Sequence, residues 1–159
     1  MIDAHQMRTE IIRPALQAIN LWSADAEELL MFIGFTESHL GTYIVQKPSR
    51  IAKGIFQCED ATYLDIITNY LTYHSGLKNS ILSSLGLMKF PKPDALIWNL
   101  WLASMMCRVH FLRVKEPIPD AKDIIGLGLF WKKFYNSALG AGNAEEAIIN
   151  YQAFLDEQK

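Results

Sequence analysis

Cysteine is scarce in this chain: Cys58 and Cys107 are the only two among 159 residues. Two are too few for a disulfide framework and show no paired spacing for zinc. They read as buried thiols of a protein made in a reducing compartment, and nothing supports a bridge between them. An excess of positive charge is missing too, with 15 Lys and Arg against 17 Asp and Glu and a formal net charge of −2. Without a basic field to displace phosphate counterions, a nucleic-acid partner is not expected. Long apolar runs are absent: the longest nearly uncharged stretch, Ala95–Cys107, is too short to span a bilayer and carries Asn99 and Ser104, so no membrane insertion is expected. The start, Met1-Ile2-Asp3-Ala4-His5-Gln6, has neither a basic n-region nor an apolar h-region, so synthesis in the cytoplasm without a secretory leader is expected. The four histidines (His5, His39, His74 and His110) lack metal-ligand spacing and read as surface or polar-core residues. Gly126-Leu127-Gly128-Leu129 and Gly140-Ala141-Gly142 lack the flanking strand and the Lys-Ser/Thr of a phosphate loop. No metal and no cofactor is therefore expected.

What is present is helical periodicity. Half the residues are hydrophobic and a fifth charged, the balance of one globular domain spanning residues 1–159 with a full core. A first helix is predicted from about His5 to Ile19, kinked at Pro14 or effectively starting near Arg13. Ser23 is placed to cap a second helix, with Asp25, Glu27 and Glu28 favourable to its dipole. That helix is apolar on every side from Leu29 to Phe35, which predicts a central, surrounded position, and Gly41 is the expected stop. Residues 42–53 do not read as helix, and a short hairpin or irregular loop is predicted there. Further helices are predicted from about Asp60 to His74, between Gly76 and Leu87, and from about Ala95 to Arg113, the last with its Trp and Met residues in the core. Another carries Phe130, Trp131 and Phe134, and Asn143-Ala144-Glu145-Glu146 has the form of a capping box opening the final one. The fold class expected is mainly α.

Glu37 closes the apolar second helix beside a polar loop. Desolvation by neighbours such as Met31, Ile33 and Phe35 raises a carboxyl pKa toward neutrality, and an acid still protonated there can donate a proton to a leaving oxygen. A lone carboxylate at a helix end is more often a solvated surface group. The surrounding order of residues argues otherwise. Glu37-Ser38, then Gly54-Ile55-Phe56-Gln57 and Asp60-Ala61-Thr62, then Arg108 to Arg113 and finally Tyr135-Asn136, resembles the lytic transglycosylase and goose-type lysozyme superfamily. That family shows Glu-Ser, Gly-Leu-Met-Gln, Pro-Ala-Thr and Ala-Tyr-Asn in this order, and the likeness covers about Ala24 to Gly142. The stretches Glu37–Gly41, Gly54–Gln57 and Trp131–Ser137 also look like a phage and prophage branch of small, single-domain transglycosylases.

The resemblance implies a lysozyme-like fold acting on peptidoglycan glycan strands outside the cytoplasm, with phage virion or tail components as possible partners. It makes Glu37 the general acid for the bond between N-acetylmuramic acid and N-acetylglucosamine. It gives Ser38 a part in holding substrate or acid, packs Phe56 on a sugar ring, and lets Gln57 hydrogen-bond that ring. Tyr135 would orient Glu37, and Asn136 would shape the groove floor. Taken on their own, Phe56 fits a core position and Tyr135-Asn136 a helix end. Glycoside cleavage usually needs a second carboxylate. The candidates Glu59, Asp60 and Asp65 lie at or near a helix start, where Asp60 reads as an N-cap and Glu59 as a dipole partner. Transglycosylases manage with one acid, because the substrate's acetamido group attacks and the muramic 6-hydroxyl closes an anhydro ring. The sequence therefore leans to transglycosylase, with a hydrolase of the same bond, a non-enzymatic phage structural protein of the same fold, or a glycan-binding module as alternatives. Cys58-Glu59-Asp60 after the Gln, and Ile44–Pro48 in place of a Ser-rich run, depart from the family pattern in the groove region.

Overall fold

A helix that is apolar all round must be surrounded, and in the computed structural model it is. The structure describes residues 1–136 and 140–159. Helix α2 (Ala24–Ser38) is buried without interruption from Ala26 to Phe35. It packs against the N-terminal helix and the helices Leu100–Leu112, Ile124–Trp131 and Ala144–Glu157. Its start is as predicted: the Ser23 hydroxyl accepts from the Ala26 N–H at 3.0 Å, satisfying an orphan donor.

Helix α1 comprises Ala4–Gln6, a π-helical segment Met7–Ile12, and Arg13–Ala18. The wider turn stands immediately before Pro14. Proline has no N–H and crowds the carbonyl four residues back, and the π register relieves both without ending the helix. Facing α1, Glu27 stands in the first turn as expected, but it and Glu28 are also paired with side chains from other helices. Glu27 is 3 % exposed and is held by Arg13 at 2.7 Å, the Trp22 indole N–H at 2.6 Å and Arg8 at 3.2 Å. Burial pushes its carboxyl up, but the hydrogen bonds from Arg13, Trp22 and Arg8 outweigh it and hold the pKa below the ordinary value. Glu28 pairs with Arg8 at 2.7 Å and accepts from the Tyr151 hydroxyl at 2.5 Å. This network ties α1, α2 and the helix Ala144–Glu157 together.

The excursion at 42–53 is irregular as expected, but its hairpin lies later. Strands β1 (Ala52–Lys53) and β2 (Cys58–Glu59) pair antiparallel, Ala52 opposite Glu59 and Lys53 opposite Cys58. The turn between them demands Gly54: its φ is +74°, and a Cβ there would lie 2.3 Å from the Leu96 carbonyl oxygen. Helix α3 (Asp60–Asn69) and a 3-10 turn (Leu71–Tyr73) follow, then α4 (Ser75–Ser84). Asp60 is not the N-cap: it pairs with Lys53 at 2.8 Å, the ammonium that also reaches Asp94 at 2.6 Å.

The single long helix predicted over 95–113 is two pieces. A 3-10 turn (Pro93–Ile97) ends at Trp98, and α5 (Leu100–Leu112) opens where the Asn99 side chain accepts from the Leu102 N–H at 2.9 Å. Asn99 thus acts as a cap within an apolar run. Met105 and Met106 are core, but Trp98 is 68 % exposed at the break. Helix α6 (Ile124–Trp131), capped by Asp123, runs on as a π-helical turn (Lys132–Asn136). Helix α7 (Ala144–Glu157) is capped by Asn143 as predicted, which accepts from the Glu145 and Glu146 N–H groups at 2.9 and 3.2 Å. Ser137, the last residue of the phage-like stretch, lies outside the described residues. The chain is mainly helical, with seven helices and one two-stranded sheet among the described residues. No described helix is long and apolar enough to cross a membrane.

Candidate active site

Glu37 stands one residue from the end of α2, and the backbone turns sharply just beyond it. His39, Leu40 and Gly41 all have positive φ, at 47°, 48° and 86°. The left-handed cap is therefore His39, not the predicted Gly41. Non-glycine residues in this region are held only where the surroundings over-determine them. Here Leu40 is fully buried, its N–H bonds the Gly34 carbonyl at 3.0 Å, and its carbonyl accepts from Ile2 at 2.8 Å.

Ser38 is wholly buried, so it does not meet substrate. Its hydroxyl donates to the Ile55 carbonyl at 2.6 Å and accepts from the Gly41 N–H at 3.0 Å, fastening the end of α2 to the 54–57 turn. Phe56 is 1 % exposed and packs beneath Gly34, so it is core and no sugar platform. Tyr135 does not hydrogen-bond Glu37: its hydroxyl donates to the Phe56 carbonyl at 2.7 Å, joining the same turn to the end of α6. Gln57, at φ 47°, donates to the Gly54 carbonyl at 2.7 Å.

Two cavities meet at the acid. One, of about 330 Å³, lies between the end of α2 and the start of α7, with His39, Trp131, Asn143 and Asn150 on its walls. The other, of about 520 Å³, runs over the hairpin and includes Gln57, Glu59, His110 and Tyr135. Both include Glu37, Asn136 and Gly142. The structure thus brings Glu37, Gln57, Tyr135 and Asn136 to one groove, and leaves Ser38 and Phe56 beneath it.

Burial pushes the Glu37 carboxyl up to about 7, and the Trp131 indole N–H, donating to Oε1 at 2.8 Å, draws it partly back. No cation pairs with Glu37 among the described residues. An acid in this state is a proton donor and, once ionised, a base near neutral pH. Of the other carboxylates, Asp60 is taken by Lys53 and Asp65 by Arg113 and Asn69. Glu59 is exposed on the wall of the larger cavity, and Glu146 lines the smaller.

The remaining reactive side chains are quiet. Arg113 has only donors, so His110 Nδ1 accepts from it at 3.1 Å, and Nε2–H donates to the Phe134 carbonyl at 2.7 Å. Burial lowers the His110 pKa, which keeps the ring neutral. Burial, then Glu59 and Asp60, push the Cys58 thiol up to about 12, and burial raises Cys107 likewise; both cysteines are free. No cluster of His, Cys, Asp or Glu suited to a metal occurs among the described residues. Trp131 is the site residue that the sequence reading missed. The available signal was its position four residues before Tyr135, on the same helical face. Compared with known protein families, curated proteins and solved structures, the chain matches none.

Proposed function

We propose that this chain is a lytic transglycosylase of lysozyme-like fold that cleaves the β-1,4 bond between N-acetylmuramic acid and N-acetylglucosamine in peptidoglycan. The observation that carries the reading is Glu37, a desolvated carboxyl with a pKa of about 7 at the junction of a two-part groove. In the first step Glu37 gives its proton to the glycosidic oxygen as the C1–O bond breaks. The acetamido oxygen of the same muramic residue bonds to C1 and carries the charge. Ionised Glu37 then takes the proton of the muramic 6-hydroxyl, whose oxygen displaces the acetamido group and closes the 1,6-anhydro ring. One carboxyl serves both steps, and Asp60 and Asp65, the other acids considered, are tied up in ion pairs and line neither cavity.

The setting follows the phage-type resemblance: synthesis in a bacterial cytoplasm and action on periplasmic or extracellular wall, free or in a virion. Glu59 favours a second reading. It is exposed on the wall of the larger cavity, where a carboxylate would activate a water and make the enzyme a hydrolase. Digestion of purified sacculi with the wild type and Glu37→Gln tests both. Release of 1,6-anhydromuramic ends by wild type alone supports the proposal, and reducing ends support the hydrolase. Equal release by both proteins removes Glu37 from the chemistry. Release by neither, with glycan retained in a pulldown, leaves a binding or structural protein.

A further inference from the structure

Among the described residues Glu37 Oε1 meets one hydrogen-bond donor, and that donor is held with little freedom. Trp131 is 2 % exposed at the last position of α6, its ring tilted against Phe32 of α2 at 6.1 Å between centroids. On its far edge the chain must be glycine: a Cβ on Gly142 would lie 2.6 Å from Trp131 Cη2 and 2.9 Å from Asn136 Nδ2. The indole is thus clamped between the helix that carries the acid and the segment that returns to α7.

Resting on the general-acid reading of Glu37, we infer that Trp131 is its positioning residue, holding Oε1 so that Oε2 carries and delivers the proton. An indole N–H is a donor only. In either charge state Oε1 is therefore the accepting oxygen, and the proton of the neutral acid sits on Oε2. A carboxyl free to turn would present either oxygen, and a misplacement of about 1 Å costs up to about 100-fold in rate. Almost wholly buried, Trp131 offers the groove little surface of its own, so it acts through Glu37. The titratable groups sharing the groove are His39 after α2, Cys58 and Glu59 of β2, His110 of α5, Tyr135 of the π turn and Glu146 of α7. None forms a hydrogen bond or ion pair with Glu37 among the described residues.

The test replaces Trp131 by benzothienylalanine, which keeps the ring shape with sulfur in place of the N–H, and in parallel makes Trp131→Phe. Glu37 is titrated by carbon-13 NMR of side-chain-labelled protein, and release from sacculi is followed against pH. With the donor gone, the ionised form loses a charge-assisted bond, so the Glu37 midpoint and the alkaline limb of activity rise by about one pH unit. Turnover below pH 7 falls about 10-fold or more with KM unchanged. An unmoved Glu37 midpoint in the folded isostere overturns the inference. If the midpoint moves but wild-type protein releases nothing from sacculi, the pairing stands and the transglycosylase reading fails.

Discussion

Replacing Glu37 by Gln is expected to make the protein more stable above neutral pH and no more stable in acid. The carboxyl has an ordinary pKa of 4.5 when the chain is unfolded and about 7 when folded. Between those values the unfolded chain releases the proton while the native one keeps it, so stability falls as pH rises through the window. Below 4.5 both states are protonated and this contribution vanishes. Above 7 the full cost of ionising a buried carboxyl is present, on the order of 3 kcal/mol at about 1.4 kcal/mol per unit. Glutamine keeps an oxygen for the Trp131 N–H and carries no charge, so it escapes that cost. Urea unfolding of wild type and variant at pH 4 and pH 8 measures the difference, in which every other titrating group cancels. The variant's midpoint should exceed that of wild type by about 1–2 M urea at pH 8 and match it at pH 4. Equal differences at the two pH values would refute the claim that burial, rather than some contact of the glutamate, sets the state of this acid.

Glycan release by the wild type should fall about tenfold per unit above pH 7, as the acid loses its proton, and a profile flat to pH 9 would contradict Glu37 as proton donor. Gly54→Ala puts a Cβ 2.3 Å from the Leu96 carbonyl at a positive φ and should destabilise the fold by about 2–4 kcal/mol, read as a fall in thermal midpoint. Tyr135→Phe leaves the Phe56 carbonyl without its donor and should cost about 1–3 kcal/mol in urea unfolding while the alkaline limb of activity stays in place. Arg8→Met leaves Glu28 without its cation while Glu27 keeps Arg13, and a loss of about 3–5 kcal/mol is expected from leaving a buried charge short of its partner.

What the sequence made legible was local. Ser23 and Asn143 cap their helices because a short polar side chain three residues before a free N–H is a property of a few adjacent positions. The all-round apolar character of α2 likewise announced its burial, whereas a carboxyl at its end reads from pattern alone as solvated, and the desolvation of Glu37 depends on what packs over it. What stayed hidden depends on partners far along the chain. Ser38 meets Ile55 across 17 residues, Tyr135 meets Phe56 across 79, and Trp131 meets Glu37 across 94. No periodicity encodes such a pairing, so the residue expected to orient the acid was Tyr135 and the one that meets it is Trp131. Asn99 escapes detection for the opposite reason. Its capping chemistry is local and strong, but it sits in an apolar run whose pattern argued for unbroken helix. The Glu27 and Glu28 pairs were lost because two acids in a first turn look the same whether water or arginine faces them.

The turn at Gly54–Gln57 receives Ser38 from one side and Tyr135 from the other, so it acts as the hub on which two distant parts of the chain are hung. This gives the molecule a schedule. A growing chain that has left the ribosome as far as α5 already possesses Glu37 and the hairpin. It still lacks the indole, the phenol and the Gly142 segment that wall in the acid. Without those walls the carboxyl would meet more water, and the burial that raises its pKa in the folded chain would be incomplete. Enclosure of the acid therefore waits on residues contributed from α6 onward.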